Sequence, residues 1–235
     1  MKTIVNLSGG KDSTAMLHVM IEKGIHFDEV IFSDTTVEFP QMYEHLDLIE
    51  QKTGIKITRI KPEHDFYYYL TQIERKNIRS KIREHLKGYG FAGVKSRWCT
   101  HQFKIANPRK YLREKYGGEP VMHCIGIAAD EKHRVKDDPM IRYPLIEYGI
   151  TEEKALNLCK SLGYNWGGLY DLFDRVSCWC CPLQGLDALM TLKKHFPELW
   201  QKLKEWDKQT FNQFKPGYKL SALDYAFSKI EAKQV

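Results

Sequence analysis

The sequence predicts an α/β fold, a parallel sheet with helices on both faces, followed by a small helical subdomain that carries a cysteine cluster. Three observations predict it. Over the first 150 residues short apolar runs alternate with amphipathic stretches, the pattern of parallel strands joined by crossover helices. From Thr151 onward strand-like runs stop and helical periodicity takes over. Three of the six cysteines, Cys178, Cys180 and Cys181, fall within four residues. The expected division is residues 1–150 for the α/β domain and 151–235 for the helical subdomain with the cysteines.

Taken in order, Thr3-Ile4-Val5-Asn6-Leu7 is a short buried-strand run. A glycine-containing turn leads to an amphipathic helix from Asp12 to Lys23, with Ala15, Met16, Val19 and Met20 inward. Glu29 to Ser33 reads as a second strand, Pro40 to Gly54 as a helix opened by proline, and Ile55 to Ile60 as a third strand. His64 to Gly88 is helical in pattern, basic and tyrosine-rich, an exposed helix and loop closed by the turn Gly88-Tyr89-Gly90-Phe91. Pro120 to Ile127 resumes a buried strand, and Asp130 to Pro139 reads as a polar loop. Thr151 to Leu162, Leu186 to Phe196 and Pro197 to Thr210 come next as helices. The last places Leu199, Trp200, Leu203 and Trp206 on one face as core packing.

The 235 residues are 43% hydrophobic and 28% charged, ordinary globular values. No apolar stretch approaches the roughly 20 residues that span a bilayer, and Met1-Lys2-Thr3 leads into a strand, so the expectation is a soluble, cytoplasmic protein. The net charge of +6 is uneven. Residues 75–115 carry 13 lysines and arginines against Glu84 and Glu114, an excess of +11, while the remainder sums to −5. Such a stripe suits a polyanion, tRNA or DNA, or else forms a solvated helical face. Six cysteines in a reducing compartment point to metal or redox chemistry rather than to a disulfide framework.

Between the first strand and the first helix stands Ser8-Gly9-Gly10-Lys11-Asp12-Ser13. A small turn there lets backbone N–H groups converge on an anion at a helix N-terminus, and Lys11 adds a cation. The spaced glycines of the Walker pattern are missing. The segment resembles the PP-loop of the adenine nucleotide α-hydrolase superfamily. That resemblance implies a Rossmann-like sheet of the PP-loop type and cleavage of ATP between its α- and β-phosphates, with Mg2+ as cofactor. It makes Ser8, Gly9, Gly10, Lys11 and Ser13 the holders of the departing pyrophosphate and Lys11 and Asp12 catalytic. For Asp12 two roles stay open, capping the helix or approaching the metal.

Asp34-Thr35-Thr36-Val37-Glu38-Phe39-Pro40 resembles the D-T-x-x-E-F-P signature of the phosphoadenosine phosphosulfate reductase family. Asp34 ends a strand, where ligands of an open α/β sheet bind, although an Asx turn would also account for it. Arg97-Trp98-Cys99-Thr100 with Lys104 is similar to the family's R-x-C-T-x-x-x-K segment. Gly126 with Asp130-Glu131-Lys132-His133-Arg134 is similar to its G-I-x-x-x-E-x-x-R segment, and Pro144-Leu145 to its P-L step. The similarity runs from Lys2 to about Pro182. It makes Asp34, Gly126 and Glu131 nucleotide-site residues and Arg97, Lys104 and Arg134 candidates for phosphate or sulfate contact, each of which is otherwise plain surface basicity. The chain departs from sulfonucleotide reductases in its intact loop and in having no cysteine after Cys181. The expected function is therefore an ATP pyrophosphatase that adenylates an acceptor for sulfur insertion, with a sulfur-donor protein as partner. Sulfonucleotide reduction and an ATP-gated nucleic-acid-binding module are the alternatives.

Cys178 and Cys181 form a C-x-x-C pair, whose short loop can place two thiolates on one metal. The segment resembles the C-x-x-C-P of cluster-bearing relatives, and that resemblance adds Cys99 and Cys159 as ligands of a [4Fe–4S] cluster, with zinc as the alternative. Cys180 either replaces a neighbour or serves as a sulfur-handling thiol in catalysis. Cys124, in an apolar run, is expected in the core.

Overall fold

The computed structural model describes residues 1–74, 86–94 and 96–233. Its elements in chain order are β1 (Lys2–Asn6), α1 (Lys11–Glu22), β2 (Glu29–Ser33), α2 (Pro40–Thr53), β3 (Ile57–Ile60), α3 (Phe66–Thr71), α4 (Asn107–Tyr116), β4 (Val121–Ile125), β5 (Ile141–Arg142), α5 (Pro144–Glu147), α6 (Glu152–Ser161), α7 (Leu169–Leu172), α8 (Leu186–His195), α9 (Pro197–Gln209) and α10 (Leu220–Ala232). A π-helical turn, Thr100–Ala106, precedes α4, and a 3-10 turn, Ala129–Arg134, comes after β4. They form two compact units. The first comprises Met1–Asp34, Glu38–Lys61 and Phe103–Ser177, and the second Thr35–Val37, Pro62–Gln102 and Cys178–Val235.

The first unit is an α/β fold on a parallel sheet of order β3-β2-β1-β4-β5. Glu29 to Phe32 of β2 are all buried, as is usual for a parallel strand covered on both faces. Helix α2 starts with Pro40 and stops at Gly54, whose φ of 69° is the left-handed conformation that ends helices. Strand β4 is less buried than its apolar sequence predicts, with Cys124 alone fully covered. Its outer neighbour β5 has two residues and pairs only with His123 and Cys124.

Contacts do not divide the chain at residue 150. Helix α1 buries Ser13 through Leu17, Val19 and Met20, nearly its whole circumference, and therefore needs cover beyond the sheet. Helices α5 and α6 supply it, so the first unit continues to Ser177. The long segment after β3 leaves that unit instead.

In the second unit α3 buries Phe66, Tyr69 and Leu70, so the tyrosine-rich segment begins as a packed helix rather than an exposed one. The remainder of that expected helix, residues 75–85, lies outside the described residues. Helix α9 buries Trp200, Leu203 and Trp206, as its periodicity predicts, with Trp206 5.0 Å from Trp179. No helix among the described residues is long and apolar enough to cross a membrane.

Candidate functional site

From β1 the chain builds β2 and β3 on one side of the sheet, then returns to build β4 and β5 on the other. The carboxyl ends of β1 and β4 therefore flank the point where strand order reverses, where open α/β sheets bind ligands. The last paired residues there are Asn6 and Ile125. The Ser8–Gly10 loop leads out of β1, and Gly126 leads out of β4. A Cβ on Gly126 would lie 2.8 Å from Ser13 Cα, so glycine is required where the β4 exit passes against the start of α1.

Gly9 has φ 79°, and a Cβ there would come within 2.4 Å of Met42 Sδ. Gly10 is the residue before α1, and no side chain caps that helix, whereas in α6 Thr151 Oγ1 accepts from Lys154 N. Apart from the Lys11 N–H, which the Tyr170 hydroxyl takes, the first turn of α1 thus keeps its N–H groups and dipole for an anion. Ser13 is buried and knots the loop: its Oγ accepts from Ser8 N at 3.1 Å, donates to Gly10 O at 3.0 Å and lies 3.0 Å from Ser8 Oγ. Two residues that sequence reasoning missed brace the loop from outside. Trp166 Nε1 donates to Gly9 O at 2.7 Å, and Tyr170 OH accepts from Lys11 N at 2.8 Å. Their segment, a 3-10 turn with two glycines and a four-residue helix, has no periodicity long enough to read.

Charge is concentrated at the same helix start. Lys11 Nζ donates to Glu152 Oε1 at 2.7 Å and to Asp12 Oδ1 at 3.1 Å. Burial pulls the Lys11 ammonium down, but Glu152 and Asp12 outweigh it and the net shift is upward. Burial pushes the Asp12 carboxyl up, Lys11 opposes this, and the like charges of Glu152 and Glu131 add to it. Oxygen atoms of Asp12, Glu131 and Glu152 all lie within 4.8 Å of one another. Three carboxylate oxygens suit a hard divalent cation, so the donor set fits Mg2+. Of the two roles open to Asp12, helix capping is not the one adopted. Glu152, also missed by sequence reasoning, is the first residue of α6, and its backbone N–H donates to Asp130 Oδ1 at 3.1 Å. Arg134 is paired with Glu131 through contacts of 2.6 and 2.5 Å, so it neutralises a member of the carboxylate group.

Asp34 lies at the carboxyl end of β2, buried, with its backbone N–H on Ile60 O and the Tyr43 hydroxyl donating to its Oδ1 at 2.8 Å. Lys104 is exposed on the π-helical turn of the first unit, whereas Arg97, also exposed, belongs to the second. The first unit thus brings Ser8 to Ser13, Gly126, Glu131 and Arg134 to one sheet end.

The cysteines are divided between the units: Cys99, Cys178, Cys180 and Cys181 in the second, Cys124 and Cys159 in the first. Cys178 and Cys181 close one tight turn, with Cys181 N donating to Cys178 O at 3.1 Å, and Gln184 Nε2 braces it on Cys178 O at 2.8 Å. Cys178 Sγ lies 3.4 Å from Thr35 Oγ1, and Trp179 N donates to Val37 O, so this turn is tied to the Thr35–Val37 segment. That pair fits a soft metal. Cys159, in the first unit, is fully buried; its thiol donates to Lys11 O at 3.4 Å, and burial together with Asp12 pushes it up to about 12. Cys180, beside Cys178 and Cys181, is buried, 1% exposed. Cys124 is a core thiol pushed up to about 11 by burial.

A model of the phosphoadenosine phosphosulfate reductase domain matches residues 2–143. An uncharacterized protein of Methanocaldococcus jannaschii is 29% identical over 212 residues, covering 85% of this chain and 40% of that protein. A nin region protein of Escherichia phage lambda is 30% identical over 158 residues, covering 61% of this chain and 53% of its own. The chain therefore spans about half the length, or less, of these curated relatives. Among solved structures, a phosphoadenylyl-sulfate reductase from Candida auris in a phosphate complex is 15% identical. It aligns over 76% of this chain and 82% of that one with a TM-score of 0.49.

Proposed function

The chain belongs to the phosphoadenosine phosphosulfate reductase family, whose members are nucleotide-using, sulfur-related enzymes, and from that premise we propose that it is an ATP pyrophosphatase that adenylates an acceptor and supports sulfur transfer. The observation that carries the reading is an uncapped helix start with Lys11 at its first position and three carboxylates around it, at the switch point of the sheet.

In this reading the open N-terminus of α1 and the Lys11 ammonium take the β- and γ-phosphate oxygens, and Ser13 keeps the loop in shape for them. Asp12, Glu131 and Glu152 would hold Mg2+, which when bound supplies positive charge against phosphate oxygens. An acceptor oxygen attacks the α-phosphorus, the bond to the bridging oxygen of the β-phosphate breaks, and pyrophosphate leaves with that electron pair. A sulfur nucleophile from a donor protein then displaces AMP from the acceptor. Exposed Arg109, Lys110 and Arg113 on α4 support a polyanionic acceptor, tRNA or DNA. Residues 75–85 and 95 of the basic segment lie outside the described residues.

The thiols enter the reading as a metal-binding turn. Cys178→Ser and Cys181→Ser should each lower bound iron or zinc, and Cys124→Ser, in the core, should retain it; metal analysis of protein purified without oxygen reads this directly. For the reaction, the protein is mixed with ATP, Mg2+ and tRNA or DNA, and pyrophosphate and AMP are counted. Matched release of both is expected. No release with any acceptor sinks the reading, and sulfite formed from phosphoadenosine phosphosulfate with thioredoxin assigns the reductase activity instead.

A further inference from the structure

Trp166 is one of two non-glycine residues with positive φ among the described residues, at 51°. Left-handed backbone at a bulky residue is strained and persists only where surrounding contacts over-determine it. Here the contacts are specific. The Trp166 ring is 1% exposed and its N–H holds Gly9 O, while Gly167 and Gly168, with φ of 59° and 82°, turn the chain back. Four residues after Trp166, Tyr170 meets the indole edge to face at 4.6 Å and sets its hydroxyl on the first amide of α1. A Cβ on Gly10 would be 3.3 Å from that hydroxyl oxygen, so the phenol stands directly over the loop.

The direction of that hydrogen bond decides what the phenol can do. Lys11 N–H is the donor, so the Tyr170 oxygen accepts and its own hydrogen is not used there. Among the described residues the hydroxyl makes no second hydrogen bond. We propose that Tyr170 is a substrate-contacting residue of the phosphate loop: its oxygen takes the Lys11 amide and its hydrogen is donated to an anionic phosphate oxygen at the start of α1. The inference rests on the nucleotide-binding part of the function proposed above. It adds a phosphate donor from α7, outside the contiguous loop. Trp166, by contrast, acts on backbone alone and is a positioning residue.

Inorganic pyrophosphate and adenosine, titrated calorimetrically into the full chain and into Tyr170→Phe and Trp166→Phe, separate these roles. Tyr170→Phe keeps the ring on Trp166 and removes only the hydroxyl. It should weaken pyrophosphate by roughly tenfold, leave adenosine unchanged and leave the melting temperature where it is. Trp166→Phe should lower the melting temperature and weaken both probes together. If Tyr170→Phe binds pyrophosphate as tightly as the wild type, or more tightly, or copies the Trp166→Phe pattern, the inference is overturned. A wild-type chain that binds no pyrophosphate removes both this inference and the proposed function. One whose pyrophosphate binding depends on Tyr170 but which releases none from ATP keeps the inference and loses the function.

Discussion

Two groups of carboxylates in the first unit are built in opposite ways. At the amino end of β2, Glu29 receives four donors: Thr58 Oγ1 and Tyr111 OH at 2.6 Å and Lys115 Nζ at 2.7 Å on one oxygen, and Tyr116 OH at 2.8 Å on the other. Burial would push this carboxyl up, but the donors, Lys115 first among them, carry it from 4.5 down to about 2. At the start of α1, beyond the carboxyl end of β1, three carboxylates crowd within 4.8 Å, and the Asp12 carboxyl is shifted up, by burial first and then by its acidic neighbours. The difference teaches that donors per carboxylate, more than charge or burial, tell a closed structural site from one that keeps acceptor capacity. Glu29 is saturated and has nothing left to bind. The Asp12 group has more acceptor capacity than Lys11 and Arg134 can fill.

If that distinction is right, the largest effect belongs to the cation of the open group. Lys11→Ala should reduce pyrophosphate release on the order of 100-fold or more, as for other groups that stabilise charge developing in a transition state. Its melting temperature should change little, since Lys11 is bound to partly exposed Glu152 rather than to core. Near-wild-type release would remove Lys11 from the chemistry.

Glu29→Gln should give the next largest effect, on stability alone. A carboxyl lowered from 4.5 to about 2 contributes roughly 3 kcal/mol, fully present above the unfolded-state value and lost as pH falls through the folded one. Denaturant unfolding should therefore show the wild type losing stability between about pH 4.5 and pH 2, with the variant less stable at neutral pH and flatter across that window. Parallel acid limbs would show that Glu29 is not what the acid titrates.

The same contrast explains which features the sequence makes legible. The parallel sheet, α1 and α2 were legible because each is contiguous and periodic, and the Ser8–Ser13 loop because it is contiguous. Glu152 was not, because an acid behind Thr151 reads as an ordinary helix start, and only the fold brings it to Lys11 from 141 positions away. Helices α4 and α10 and strand β5 went unread: half of α4 is charged, and β5 is two residues long. The partner of Cys159, the Lys11 carbonyl, was invisible in sequence because only the fold supplies it.

Glu152→Gln tests whether the open group is a cation site. Titrated with Mn2+ alone, the variant should bind about tenfold more weakly, the loss expected for one carboxylate contact, with no loss of stability because a like charge has been removed. Glu29→Gln, measured alongside, should bind Mn2+ as the wild type does. A wild type without Mn2+ affinity would leave Asp12, Glu131 and Glu152 as three acids that happen to meet.

The smallest effect sharpens the comparison most. Lys115 is the only cation among the four donors to Glu29, and its side chain is 43% exposed. Its attraction is therefore screened by solvent, and an ion pair of this kind contributes less than about 1 kcal/mol. If saturation by donors is what closes the site, Lys115→Met should cost no more than that. Thr58, Tyr111 and Tyr116 would still supply three hydrogen bonds, Glu29 would stay ionised at neutral pH, and the acid limb would survive with its lower end moved up in pH, since one of the groups that depress the carboxyl is gone. Denaturant unfolding of Lys115→Met across the same pH window reads both quantities. Should Lys115→Met cost as much as Glu29→Gln, the buried carboxylate is held by its one cation rather than by its count of donors. Glu29 would then differ from the Asp12 group only in degree, each being a carboxylate site governed by a single lysine.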